Sequence, residues 1–361
     1  MAMYTFVFFI LYKSGEILSI NEIIDQQNAS IRPVIYGSAY SERTIQYKYH
    51  YVLKRAPSVL AIGKSRVMQF RAAFFKDPSS FFNVGGAIIG IEDFQTFLEG
   101  IPQAKSPRMI ILCLDQHFFN PNWDRSAFPK FKLAGNSGSF DILANQGWHV
   151  YQEYLKHKFA LAPLFKKNST GTDLIGIYAI TFQNGYRKDG SYSYGKIISQ
   201  NSRDLSFKES FDAIEEGKDT FAYGDHLDPK ALQTLEHLLQ FCKQRYIHVI
   251  AFLPPYAHVV FEKLMSLPEK YGYLPEIAPT LEPLCKKYGA SFFNFSDLSS
   301  VGAPDFETTD GFHGSEKAYL RLFLIMQSRD QQLHSVAAKE TYLQQRLADA
   351  VSPYVVFRQD E

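Results

Sequence analysis

Cysteine is scarce in this chain, with only Cys113, Cys242 and Cys285 among 361 residues. Their number and spacing exclude a disulfide framework and a zinc site as organising devices. All three fall in or beside segments patterned as strands or helices, which fits small buried hydrophobes. An excess of either charge is also missing. Lys and Arg total 38 against 37 Asp and Glu, a formal net charge of +1. With no basic stripe interleaved with aromatics, nucleic acid is not an expected partner. Long hydrophobic runs are absent too. The apolar stretch Tyr4 to Tyr12 is far too short to span a bilayer. It also lacks the basic lead and small-residue cleavage site of a signal peptide. It reads as the stub of a trimmed membrane anchor, an edge strand or a buried helix. Membrane association through such an anchor, an envelope location, a cytoplasmic one and the oligomeric state all stay open. Internal repeats and low-complexity tracts are lacking. His117 and His248 have no companion at metal-ligand spacing, so neither a metal nor an organic cofactor is expected.

Aromatic residues, by contrast, are plentiful: 31 Phe and 22 Tyr suit a thick core or an aromatic-lined cleft. Residues 1 to 55 read as an N-terminal extension that holds a capped helix from Ser19, with Glu22 three positions on as in a capping box. Val59–Ile62 is a short buried strand that ends at Gly63. From Arg66 onward Val67, Phe70, Ala73 and Phe74 recur at helical spacing. A second strand ends in Gly85-Gly86 and is followed by a helix around residues 91–98. A third, from Arg108 to Asp115, is followed by Gln116 and His117. This rhythm argues for an open parallel sheet with helices on both faces. It breaks over residues 120–228, which read as a large insertion over the ligand-binding edge of the sheet, a lid or specificity element. Ile175 to Phe182 is strand-like there, and Asn184-Gly185 and Asp189-Gly190 signal turns of a hairpin. The rhythm resumes with Asp228-Pro229, an N-cap followed by proline at the first helical position. Strands at Tyr246–Leu253 and Ser291–Phe295 follow, with helices near 256–265 and 277–288. The main domain thus covers residues 56–335. The C-terminal extension, 336–361, is helical at first, and its last residues add an edge strand or dock on the body.

The strand, turn and helix around Ser65 place its hydroxyl at the C-terminal edge of a parallel sheet, where ligands bind. There it serves either as a helix N-cap or as a nucleophile beside free N–H groups of the first turn. Asp310 and His313 lie three apart around a turn after the last strand. The carboxylate can hold one imidazole nitrogen and leave the other to face a nucleophile. A simple Asx turn at Asp310 accounts for the same pattern. Asp225 and His226 form a second acid–histidine pair, but their adjacency points them apart and suits a loop before the next helix. Arg187, in the hairpin, offers a planar fork for a carboxylate or phosphate, or is simply solvated.

Taken together, IGKSRVMQFR, NVGG and DGFHG resemble the motif blocks of the SGNH (GDSL-type) hydrolases. The likeness is to the divergent branch that includes cell-envelope O-acyltransferases and D-alanine transfer proteins. It covers roughly 57–120 and 245–325 and is silent on the first 55 residues and the insertion. It implies a three-layer α/β/α fold with a parallel, flavodoxin-like sheet of about five strands. It further implies Ser65 as nucleophile, Asp310 and His313 as its partners, and a backbone N–H of Gly85 or Gly86, with that of Ser65, in an oxyanion hole. The implied activity is ester hydrolysis or O-acyl transfer through an acyl-enzyme on a small acyl ester, of which an acylated glycan or envelope polymer is one form. Two departures stand out. Where the family offers an asparagine to the oxyanion, this chain has LDQHFFN. Asp115 cannot donate when ionised, so Gln116 is the expected replacement, with His117 and Asn120 also within reach. Lys64, where many relatives carry a small residue, is the second: it projects to solvent, binds an anionic substrate group or helps hold a carboxylate, and Arg66 beyond the serine is a further candidate substrate contact. These departures also motivate the opposing reading, a decayed hydrolase fold used for binding or scaffolding.

Overall fold

Short runs of Val, Leu, Ile and Phe stopped by Gly, Pro or Asp build the strands of this protein. The computed structural model describes residues 2–41, 43–126, 131–133, 139–165, 171–198 and 205–359. The expected 120–228 insertion therefore lies partly outside the described residues. The chain divides into two units: Val52–Phe131 with Ser202–Phe357, and Met1–Tyr51 with Lys132–Asn201 and Arg358–Glu361.

The first of these units carries five parallel strands: β1 (Val59–Ile62), β2 (Phe81–Asn83), β3 (Met109–Cys113), β4 (His248–Leu253) and β5 (Ser291–Asn294). Their spatial order is β2-β1-β3-β4-β5, the flavodoxin-like arrangement. The order reverses between β1 and β3, which makes the carboxyl ends of those two strands the switch point where ligands bind. Alternation sorts the side chains. Val59, Ala61, Ile111, Cys113, Ile250 and Phe252 join one core with Phe70, Phe74, Tyr319 and Phe323. Leu60, Ile62, Ile110, Leu112 and Val249 alternate with them and are buried on the other face. Helix Pro229–Gln244 packs on β4 and helix Tyr273–Lys287 on β5. Asp228 caps the former by accepting from the Lys230 N–H, with Pro229 at its start.

Two local expectations here fail for physical reasons. The segment after Ser65 is not an α-helix but two 3-10 turns, Ser65–Val67 and Ala72–Phe74. Arg66, Gln69 and Arg71 are all buried, so the segment has no solvent face for a helix to present. The carbonyls of Val67 and Phe70 accept from the Asn83 side chain instead. Ile175 to Phe182 splits into strand Asp173–Ile175 and helix Ile177–Phe182, with Gly176 at φ +95° between them. Of the two readings of the C-terminal residues, docking on the body is the one met: among the described residues they add no strand to either sheet. Tyr354, Val356 and Phe357 are buried, and the Phe357 N–H donates to Glu316. That carboxylate also forms a buried 2.9 Å pair with Arg71.

The second unit holds a mixed sheet. Val34–Tyr36 pairs in parallel with Asp173–Ile175 and antiparallel with Gly185–Tyr186, which pairs in turn with Tyr192–Ser193. The hairpin turns at Asp189-Gly190, with Gly190 at φ +79°; Asn184-Gly185 begins a strand instead of turning. Tyr4 to Tyr12 lies within helix Ala2–Ser14, whose Val7, Ile10 and Leu11 pack with Ile142 and Val150. Among the described residues, no helix is long and apolar enough to cross a membrane. The Ser19–Glu22 capping box is present. All three cysteines are free and buried.

Candidate functional site

At the end of β1, Gly63 turns the chain and Ser65 opens a 3-10 turn at the switch point. The last 3-10 turn before the histidine loop, Asp305–Glu307, leads into Asp310-Gly311-Phe312-His313. Gly311 has φ +83°, and a Cβ there would sit 2.7 Å from Val260, so the loop needs glycine at this point. The Asp310 Oδ1 accepts from the N–H groups of Phe312 and His313 at 2.9 and 2.7 Å, an Asx turn. Its Oδ2 takes the His313 Nδ1 at 2.7 Å, and the His313 Nε2 lies 2.9 Å from the Ser65 Oγ. With Nδ1 donating to the carboxylate, Nε2 is the acceptor for the serine hydroxyl, a tautomer assigned from these neighbours. Both candidate roles of Asp310 are thus filled by one carboxylate. Burial alone would raise the Asp310 carboxyl, but the His313 ring and the two N–H donors outweigh it and hold the group well below its ordinary range.

Several surrounding contacts fix this geometry. Ser210 donates to the Asp310 carbonyl at 2.7 Å, and the Ala257 N–H to that of Gly311 at 2.9 Å. Phe312 packs against Phe221 and Tyr256. Beneath the serine, Asn83 donates to the Val67 and Phe70 carbonyls and accepts from the Gly85 N–H. Neither Ser210 nor Asn83 stood out in the sequence. Asn83, at the end of β2 just before Val84-Gly85-Gly86, carried the only signal.

The expected oxyanion donors are otherwise engaged. The Gly85 N–H goes to Asn83 Oδ1 at 2.8 Å, and that of Gly86 to the carbonyls of Gly63 and Lys64 at 3.1 and 3.0 Å. The Gln116 amide donates to the Pro254 carbonyl and to Ser296 Oγ, and its oxygen accepts from Arg66. Asn120 is likewise structural, bonded to the Ala222 carbonyl and the Asn122 N–H. Among the described residues, no acceptor meets the Ser65 N–H, so this donor remains.

Arg66 is no surface contact. Its guanidinium is fully buried, 4.3 Å from both the Tyr256 and Phe312 ring centroids. It donates to Gln116 Oε1 at 2.7 Å and the Pro254 carbonyl at 2.8 Å, and lies 3.4 Å from Asp115. It ties the end of β3 to that of β4 and, through Phe312, to the histidine loop. Asp115 is buried with it, and burial pushes this carboxyl up against the pull of Arg66 and Lys64. Lys64 lies half-buried with its Nζ 4.8 Å from the Trp123 ring centroid, and burial brings its ammonium down to about 8. His117 is fully buried, and burial with the nearby Lys64 and Arg66 charges pushes its imidazole well below its ordinary range, so it stays neutral.

Among the described residues, the remaining candidates make no bond to this chain of residues. Arg187 belongs to the other unit. Instead of being solvated it is buried, bonded to Gln359, Ser191 Oγ and the Tyr192 carbonyl. His226 and Asp225 do pair, at 2.6 Å, but on the exposed surface and without a serine partner. His248 bonds Asp330. Among the described residues no cluster of His, Cys, Asp and Glu is set to hold a metal. Comparison with known proteins adds no relative: no family model matches the chain, and no curated protein or solved structure matches it either.

Proposed function

We propose that this protein is a serine-dependent esterase or O-acyltransferase of the SGNH type, working through an acyl-enzyme on a small acyl ester. The hydrogen-bonded chain Ser65–His313–Asp310, with bonds of 2.9 and 2.7 Å, carries the reading. In it His313 Nε2 removes the Ser65 proton as Oγ attacks the ester carbonyl. The imidazolium that forms is held by Asp310, whose low-lying carboxyl keeps the negative charge it needs. Collapse of the tetrahedral intermediate breaks the bond to the alkoxy oxygen, which leaves with the proton from His313. Water or an acceptor hydroxyl then repeats the sequence in reverse and frees the serine.

Oxyanion stabilisation is the weak point, and it gives the second reading its force. The Ser65 N–H is one donor; Gly85, Gly86 and Gln116 are engaged elsewhere. A missing donor costs about 2.7–4 kcal/mol of transition-state stabilisation, so a slow enzyme is expected, or a binding protein on the same fold. Turnover of p-nitrophenyl acetate decides between them. The esterase reading expects hydrolysis that Ser65→Ala abolishes. A folded wild type no faster than Ser65→Ala establishes the binding-protein reading instead.

A further inference from the structure

The mixed-sheet unit contains two cavities that share one wall. The smaller, about 170 Å³, is lined by Tyr36, Tyr178, Tyr186 and Tyr192 together with the hydroxyl residues Ser41 and Thr44. The larger, about 440 Å³, lies along Tyr40, His149, Glu153, Lys158, Phe159 and again Tyr178. We propose that they form a groove for a glycan, with one neutral sugar ring seated among the tyrosines and the next residue of the chain past Tyr178.

Three observations carry this. First, the smaller cavity is aromatic and hydroxylic at once, and among the described residues no charged side chain lines it. Aromatic faces suit the C–H faces of a sugar, and hydroxyls suit its ring of O–H groups. At 170 Å³ it is below the range of about 300–1,000 Å³ typical of drug-sized ligands, which fits a single ring. Second, its walls are held in place. Tyr186 stacks on Tyr47 and has the Lys48 Nζ 4.0 Å from its ring centroid. Lys48 is fully buried and bonded to the Gly190 carbonyl across the hairpin. Arg187 donates to the Tyr192 carbonyl at 2.7 Å. Two buried basic side chains thus brace the hairpin that carries two of the four tyrosines, and such preorganisation favours ligand binding. Third, hydrogen-bonding capacity is left over. Tyr186 OH and Thr44 Oγ1 lie 3.3 Å apart and share one hydrogen, leaving the second O–H for a ligand. Tyr178, 45% exposed, stands between the two cavities, and a ligand that continues past it has more than one residue.

The test is independent of the Ser65 chemistry, because it uses the full chain as Ser65→Ala and reads binding alone. Saturation-transfer NMR is run with cellohexaose, maltohexaose and N-acetylchitohexaose, each at about 5 mM, a level that reveals even millimolar affinity. At least one should bind, and its Kd should rise about tenfold or more with Tyr178→Ala. Thr44→Val should weaken it by a smaller factor. Tyr178 is on the surface, so an unchanged melting temperature separates lost binding from lost folding. Binding by none of the three overturns the proposal. So does binding that Tyr178→Ala leaves intact, or that a proline-rich peptide displaces as the tighter ligand.

Discussion

The same three residue types meet at both ends of the parallel sheet, with opposite outcomes. At the C-terminal edge the histidine is in the middle: Ser65 Oγ reaches His313 Nε2, and His313 Nδ1 reaches Asp310. At the N-terminal edge the carboxylate is in the middle: Ser291, first residue of β5, and His248, first residue of β4, both bond Asp330 Oδ2, at 2.6 and 2.8 Å. There the other Asp330 oxygen caps the helix Gln331–Val336 through the Leu333 N–H. A serine bonded to a carboxylate keeps its proton and gains no base; a serine bonded to an imidazole backed by a carboxylate gains one. The first set is half-exposed, whereas Asp330 is almost fully buried. On the proposed reading, chemistry and clasping follow from which group occupies the centre of the trio, not from its composition.

The comparison can be broken at several points. The largest effect should come from Ser65→Ala or His313→Ala, each lowering esterase turnover about 10⁴-fold or more, while Ser291→Ala leaves it unchanged. Asp310→Asn should cost a similar or slightly smaller factor by upsetting the imidazole tautomer, with some loss of stability too, since the folded carboxyl lies well below its ordinary range.

Asp330→Asn should do the reverse, sparing turnover and lowering stability. Burial pulls the Asp330 carboxyl up, but bonds from His248, Ser291 and the Leu333 N–H bring it to about 2. A folded value below the ordinary one means stability that is present above the unfolded value and is lost as pH falls through the folded one. The wild type should therefore lose on the order of 2 kcal/mol between about pH 4 and pH 2. Denaturant unfolding across that range should show the loss, and Asp330→Asn should show a smaller one, since Asp310 is held low as well.

Asn83→Ala should lie between the two trios, because it removes a pin beneath the serine. Loss of its bonds to the Val67 and Phe70 carbonyls should cost about 1–3 kcal/mol of stability and lower kcat more than it changes KM. Ser291→Ala is the mildest, about 1 kcal/mol of stability read by thermal melting.

The sheet was legible in the sequence because its central strands β1 and β3 are fully apolar and the others mostly so. The parallel arrangement follows from β1, β2 and β3 in succession with helical segments between them, and the resumed rhythm adds β4 and β5. The approach of residues 65 and 313 could be argued as well, since parallel strands bring every strand end to one edge. What stayed hidden depends on side chains acting on distant backbone. Nothing local says that Asn83 takes two carbonyls of the segment after Ser65, and so the periodic Val67, Phe70 and Phe74 read as a helix. Likewise Gln116 has the right amide for an oxyanion, but Pro254 and Ser296, more than a hundred residues on, engage it. Arg66, a surface residue by type, is buried because a carbonyl and aromatic rings from remote segments enclose it, and Arg187 is buried by its own hairpin and the distant Gln359.

The central claim is that the Ser65 hydroxyl has been made nucleophilic by His313. Its most direct test is labelling of the folded protein by a fluorophosphonate probe at neutral pH, with the modified residue located by mass spectrometry. The account predicts one adduct, on Ser65, absent from Ser65→Ala, nearly absent from His313→Ala and undiminished in Ser291→Ala. An adduct elsewhere, or none on folded wild type, would contradict it.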